Sequence, residues 1–315
     1  MSVPPTWTTD DIGDLSGRRA VVTGVTGGLG WSTAYELAKH GAEVVAAGRD
    51  LAKVDDALTD LRTQLPDASL DSVQLDLADL DSVEEAAETL LADGQPIHVL
   101  VNNAGIMATP QRSSAQGYEL QMATNHLGHF ALTARLWPRL VDSSARVVSV
   151  SSLMHTFARR IDLRGLEPGA PLGRYERWSV YAQSKLANLQ FALELDRRAR
   201  AAGAPVTSVA AHPGYAHTNL QTTGPQLGGV TLQTRLVDLV TRIVSQPAHA
   251  GAWPLERAAT EPGLPGGSYV GPSRMRQMRG APRLVGMTAA ARDTEQAAAL
   301  WAASERAAHV DFAPA

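Results

Sequence analysis

From residue 18 onward, short runs of β-branched residues alternate with longer stretches in which apolar residues recur every three or four positions. The runs 18–24 (RRAVVTG), 42–49 (AEVVAAGR), 72–77 (SVQLDL), 97–105 (IHVLVNNAG), 145–152 (ARVVSVSS), 206–214 (VTSVAAHPG) and 267–271 (GSYVG) read as buried strands. Between them, Leu29–His40, Leu51–Gln64, Leu80–Ala92, Tyr118–Val141 and Val180–Ala201 read as helices. Strand alternating with helix predicts an α/β fold. With right-handed crossovers this becomes a single Rossmann-type doubly wound parallel sheet with helices on both faces.

Three segments fall outside this rhythm. Residues 1–16, with Pro4, Pro5 and Trp7, form a leader expected to pack on the domain surface or stay loose. Residues 153–179, carrying LEPGAPLG, make a long excursion between a strand and a helix; residues 215–249 start loop-like and turn helical near Thr231. Loops of this length in a compact domain are more often functional than idle, so both are expected to shape a substrate site. The Ala-rich stretch from Thr288, with Leu300 and Trp301, reads as a helix docking on the body. The expected organisation is the leader followed by one domain over 17–315.

Composition narrows the function classes. The 315 residues are 44% hydrophobic and 19% charged, ordinary for a globular chain with a sizeable core. A net charge of −4 with interspersed signs offers no basic face for nucleic acid. There is no Cys, which removes disulfides, thiolate nucleophiles and thiolate metal sites together. The polar start and the lack of a long apolar run point to a cytoplasmic protein without an integral membrane segment.

The turn TGVTGGLG (23–30) lies between a predicted strand and a predicted helix, the context that marks a dinucleotide fingerprint. Gly24, Gly28 and Gly30 would let the backbone turn tightly and approach a pyrophosphate, with the helix N-terminus facing the phosphates. The second strand ends in Arg49 followed by Asp50. A planar guanidinium suits a 2′-phosphate, so NADP(H) is expected in preference to NAD; Asp50 has an alternative use as the N-cap of the next helix. Further on, YAQSK sets Tyr181 and Lys185 four residues apart on one helix face. An ammonium close to a phenol favours the phenolate, and such a pair can exchange a proton with a carbonyl oxygen.

TGVTGGLG, NNAG (102–105), NHLGHF (125–130), VSVSS (148–152), YAQSK (181–185) and HPGYAHT (212–218) occur in this order, and the chain so resembles the short-chain dehydrogenase/reductase family over roughly residues 16–275. The resemblance implies Tyr181 as catalytic acid/base and Lys185 as its partner, which also holds the nicotinamide ribose. It implies that Ser152 orients the substrate carbonyl, with Ser151 the runner-up, and that Asn125 anchors a proton-relay water. Cofactor contacts are implied at Gly24, Thr26, Gly28, Leu29 and Gly30, at Asp76 and Leu77, at Asn102, Ala104 and Gly105, and at Pro213, Gly214 and Thr218. For Asn103 a purely structural tie between strand ends is the alternative. The 29 residues from Ser152 to Tyr181 exceed the usual family spacing and resemble the retinol-dehydrogenase-like branch, which includes enzymes similar to protochlorophyllide reductase.

The implied activity is interconversion of a carbonyl and an alcohol on a mostly apolar small molecule. Met107, Met154, His155, Trp178, Tyr215 and the segment 220–230 are candidates for the pocket wall. Spacing among His126, His129, His155, His212 and His217 does not make a metal site. A silent NADP-binding regulator and a sugar-nucleotide epimerase-like enzyme are the alternatives; the former predicts decay at Ser152, Tyr181 or Lys185, and all three are present. The helices Tyr118–Val141 and Val180–Ala201 leave open a symmetric homodimer.

Overall fold

A computed structural model describes residues 6–215, 248–312 and 314. Its centre is one eight-stranded sheet in the order β3-β2-β1-β4-β5-β6-β7-β8. The strands are β1 (Arg19–Thr23), β2 (Glu43–Gly48), β3 (Leu70–Gln74), β4 (Val99–Asn102), β5 (Arg146–Val150), β6 (Thr207–Ala211), β7 (Tyr269–Arg274) and β8 (Arg279–Leu284). All pairs are parallel except the β7–β8 hairpin. The order reverses between β1 and β4, the switch point at which open sheets of this kind leave a crevice for ligands.

Period-two alternation divides the strand side chains between two cores. Val21, Val45, Leu100 and Val147 face one, built with α3 (Leu80–Ala92), α5 (Gly128–Asp142), α6 (Arg177–Ala201) and α8 (Thr294–Ala308). Ala20, Val22, Val44, Ala46 and Val101 face the other, built with α1 (Gly28–Lys39), α2 (Leu51–Gln64) and α7 (Ala248–Thr260). The predicted doubly wound sheet with helices on both faces is what the chain forms.

Several boundaries differ from the pattern reading for identifiable reasons. The expected helix Tyr118–Val141 is broken: a short α4 (Leu120–Met122) passes into a π turn, Ala123–Leu127, before α5 begins. Apolar spacing is blind to one extra residue per turn, and such π turns are frequent at functional sites. The expected strands 97–105 and 145–152 stop at Asn102 and Val150, so NNAG and the serine pair lie just beyond the sheet. Two elements went unread. β8, RGAPRL, is an edge strand whose Gly and Pro hide any alternation, and α7 contains Gly251 and Pro254 in its interior. The segment Thr231 onward to 247 lies outside the described residues.

From residue 6 onward the leader is docked, with Trp7 buried and a 3-10 turn at Thr9–Asp11. At the other end, Trp301 of α8 packs against Phe130 of α5 (5.1 Å), Phe191 of α6 (5.9 Å) and Phe312 (4.8 Å). Helix α6 is therefore buried on both sides, by the sheet and by α8, which explains the near-uniform burial of Tyr181 through Asp196. The chain's own helix fills the groove between the two helices considered for a dimer. No described helix is long and apolar enough to cross a membrane.

Candidate active site

The carboxyl ends of β1, β4, β5 and β6 converge on one crevice. At its first edge, Gly24 has φ +77°, and a Cβ there would stand 2.9 Å from Ala104. Gly30 allows still closer approach, since a Cβ would lie 2.1 Å from the Gly24 carbonyl and 2.6 Å from Asn103 Nδ2. The turn and the NNAG strand end are thus packed backbone to backbone. Thr23 Oγ1 accepts the N–H groups of Asn103 and Ala104, both at 2.9 Å, while Asn103 Nδ2 donates to the Thr23 carbonyl at 2.7 Å. Asn103 is the structural tie that its alternative reading described.

Helix α1 begins at this turn with no side-chain cap at Gly27. By contrast, α2, α3 and α8 are capped by the carboxylates of Asp50, Asp79 and Asp293. The first N–H groups of α1, with the positive end of its dipole, are left for an anion approaching over the glycines. Asp50, besides capping α2, is ion-paired to Lys53 at 2.9 Å, and Arg49 stands exposed beside it at the tip of β2. Past β3, Asp76 Oδ1 accepts the Ala78 N–H at 2.9 Å and Leu77 is buried against Gly128. Asn102 is buried, its Nδ2 donating to Thr133 Oγ1 at 3.1 Å while its Oδ1 has no hydrogen-bond partner among the described residues.

The other edge holds the polar residues. Tyr181, Ser184 and Lys185 come from one face of α6, and the Ser152 hydroxyl lies beside Tyr181. Ser152 Oγ also accepts the Met154 N–H at 3.2 Å. Ser151 faces the other way, donating to the Lys185 carbonyl at 2.7 Å, so of the two serines only Ser152 meets Tyr181 among the contacts described. Lys185 Nζ donates to the Val150 carbonyl at 3.1 Å and lies 5.9 Å from the Tyr181 ring centre. A Cβ on Gly105 would be 3.4 Å from that ammonium and 2.9 Å from Asn125 Oδ1, which brings NNAG, Asn125 and Lys185 into one corner.

Asn125 sits in the π turn with its amide fully engaged. Oδ1 accepts the Ile106 N–H at 2.8 Å, and Nδ2 donates to the Ile106 carbonyl at 3.0 Å and to Ser184 Oγ at 2.9 Å. Its backbone carbonyl accepts from His129 Nδ1 at 3.1 Å. Burial drives His129 down to about 4, so this imidazole is neutral.

The electrostatics depart from the expected phenolate. Burial pushes Tyr181 up to about 12 despite the Ser152 hydroxyl, and it lowers Lys185 to about 8. Desolvation acts on both groups against charge, and at 5.9 Å from the ring Lys185 does not reverse it. Tyr181 is a protonated donor at neutral pH.

Of the expected pocket wall, Trp178 is 43% exposed, with its ring edge-on to Tyr181 at 6.3 Å. His155 is instead fully buried behind the site, its Nδ1 donating to the Ser152 carbonyl at 2.6 Å. Pro213 and Gly214 close the crevice after β6, where a Cβ on Gly214 would meet the Met278 carbonyl at 2.5 Å. Thr218, His217 and the segment 220–230 lie outside the described residues.

Residues 18–160 match the model of the family described as short chain dehydrogenase. Polyprenol dehydrogenase of Mus musculus is 39% identical over 293 residues, 91% of this chain and 82% of that enzyme. Retinol dehydrogenase 12 of Homo sapiens is 41% identical over 207 residues, 65% of this chain and 64% of that enzyme, just under two thirds of its length. Among solved structures, an uncharacterized protein from Mycobacterium paratuberculosis superposes with a TM-score of 0.78 at 40% identity, over 98% of this chain and 99% of that one. A structure from Beutenbergia cavernae described as an NAD(P)-dependent gluconate 5-dehydrogenase, with NADP bound at low occupancy, gives 0.60 at 25% identity over 79% and 91% of the respective chains. With this sheet order and this convergence of strand ends, the chain belongs to the short-chain dehydrogenase/reductase family, in its retinol-dehydrogenase-like branch.

Proposed function

We propose that the protein is an NADP(H)-dependent oxidoreductase that interconverts a carbonyl and an alcohol on a largely apolar small molecule, with Tyr181 as the acid/base. The observation that carries this reading is a buried, protonated Tyr181 beside the Ser152 hydroxyl and one helical turn from Lys185. The residues suit a nicotinamide dinucleotide. The glycine turn provides a floor that a Cβ would fill, and the uncapped α1 N-terminus provides N–H groups for the phosphates. Arg49 would meet the 2′-phosphate, because Asp50 is engaged in its cap and its ion pair.

When bound, the cofactor supplies or accepts the hydride; position, a proton and the exclusion of water come from the chain. Ser152 and Tyr181 would orient the carbonyl oxygen from one side. In reduction the Tyr181 proton passes to that oxygen as negative charge develops on it, and Lys185 steadies the resulting phenolate. Asn125 holds the Gly105–Ile106 backbone against α6 through Ser184, which fixes the floor beneath the reacting atoms. Ala104, Gly105, Asp76, Leu77 and Asn102 would line the adenosine side, and Pro213, Gly214 and Thr218 the nicotinamide side.

The names of the relatives, polyprenol and retinol dehydrogenase, support long isoprenoid alcohols and aldehydes as the substrate class. The partly exposed Trp178 beside Tyr181 gives such a chain an apolar surface to lie on. NADPH oxidation followed with a panel of apolar aldehydes and ketones tests the reading. Turnover that Tyr181→Phe abolishes supports it, and equal turnover in the variant overturns it.

A further inference from the structure

Behind the serines and the Pro213–Gly214 turn lies a layer of three side chains, of which only His212 belongs to a motif. Tyr269 on β7 is buried, and its ring meets that of His155 at 5.6 Å and that of His212 at 5.0 Å, both buried as well. Each imidazole holds a piece of the site's backbone. His155 Nδ1 donates to the Ser152 carbonyl at 2.6 Å. His212 Nδ1 accepts the Gly214 N–H at 3.1 Å and its Nε2 donates to Gln277 Oε1 at 3.1 Å. A carbonyl can only accept and an amide N–H can only donate, so the two rings are held in opposite tautomers. Burial lowers both imidazoles, His212 to about 3, which keeps these tautomers neutral.

The Tyr269 hydroxyl strengthens the contact with His155: it lies 3.4 Å from Nδ1, and because that nitrogen carries the proton given to the Ser152 carbonyl, the phenol oxygen accepts. His212 is packed tightly against β7, for a Cβ on Gly271 would stand 2.0 Å from its Nε2. One side chain thereby touches the supports of Ser152 and of the turn after β6.

We propose that Tyr269, together with His155 and His212, is a positioning layer that sets the substrate-side Ser152 and the Pro213–Gly214 turn in register with one another. The inference rests on the reading of Ser152, Tyr181 and Lys185 as the reaction centre. Small displacements there matter, because proton and hydride transfer both depend on sub-ångström placement.

Two substitutions separate the hydroxyl from the ring. Tyr269→Phe keeps the stack and removes the hydroxyl's bond to His155 Nδ1; it should lower kcat roughly tenfold while leaving KM for the carbonyl and Kd for NADPH unchanged. Tyr269→Leu removes the ring against both imidazoles, and should in addition weaken NADPH about tenfold through the unsupported Pro213–Gly214 turn. His155→Asn retains an N–H for the Ser152 carbonyl and should recover most of the kcat that His155→Leu loses. Unchanged kcat in both Tyr269→Phe and His155→Leu overturns the proposal. Tyr181→Phe in the same assay keeps the two readings apart: turnover surviving there removes the reaction centre itself, whereas its loss beside active Tyr269→Phe and His155→Leu removes only the positioning layer. If no carbonyl in the panel is turned over, NADPH titration decides, and equal affinity in wild type and Tyr269→Leu overturns the proposal.

Discussion

The two edges of the crevice are built on opposite principles. The glycine edge works by what is missing: no side chain on Gly24 or Gly30, no cap on α1, and two strand ends packed backbone to backbone. The Tyr181 edge works by what is buried, with Lys185, Ser152 and Asn125 held by hydrogen bonds inside a second layer of side chains. Substitutions at the first edge should therefore act through sterics on binding, and at the second through chemistry on turnover.

The most severe test of that contrast is Gly30→Val. A side chain aimed at the Gly24 carbonyl forces the turn open, and NADPH affinity should fall by about hundredfold or more in a fluorescence titration. A variant that still bound NADPH normally would show that the turn is only a connection. Trp301→Ala is the converse, a large effect remote from both edges. It should cost about 3–5 kcal/mol in chemical unfolding while KM values stay at wild type, because its contacts are with Phe130, Phe191 and Phe312.

Arg49→Asp sharpens the contrast within the glycine edge, where it changes charge and no packing. The NADPH-over-NADH preference should drop by roughly tenfold or more in steady-state kinetics, through loss of a charge-assisted contact to the 2′-phosphate. The smallest effect is on pH dependence. Tyr181, raised to about 12, stays protonated throughout the working range, whereas Lys185, lowered to about 8, loses its proton as pH rises through that value. Carbonyl reduction should fall a few-fold on the alkaline side of about pH 8, and Lys185→Arg should remove that inflection. A flat profile from pH 6 to about 10 would disconnect the lysine charge from the rate.

Legibility in the sequence followed the range of the interactions. Strands β1, β2, β4, β5 and β6 were readable because burial on both faces requires unbroken apolar runs, and Tyr181 with Lys185 because a helix places positions four apart together. Gly24, Gly28 and Gly30 were readable from their place between strand and helix. The π turn that carries Asn125 was not, since the periodicity runs through it. Nor was the layer of His155, Tyr269 and His212, whose members are 57 and 114 residues apart and whose contacts exist only because β7 lies beside β6. The sign of the Tyr181 shift was equally hidden: a neighbouring ammonium predicts a lowered phenol, and only burial, which no spacing reports, makes desolvation prevail.

The central claim, that binding resides at one edge and proton transfer at the other, is tested most directly by measuring NADPH Kd and carbonyl turnover on Tyr181→Phe in one experiment. The account predicts an unchanged Kd with kcat reduced by about 10²–10⁴-fold. Turnover preserved in the variant, or lost in proportion to a weakened Kd, would contradict it.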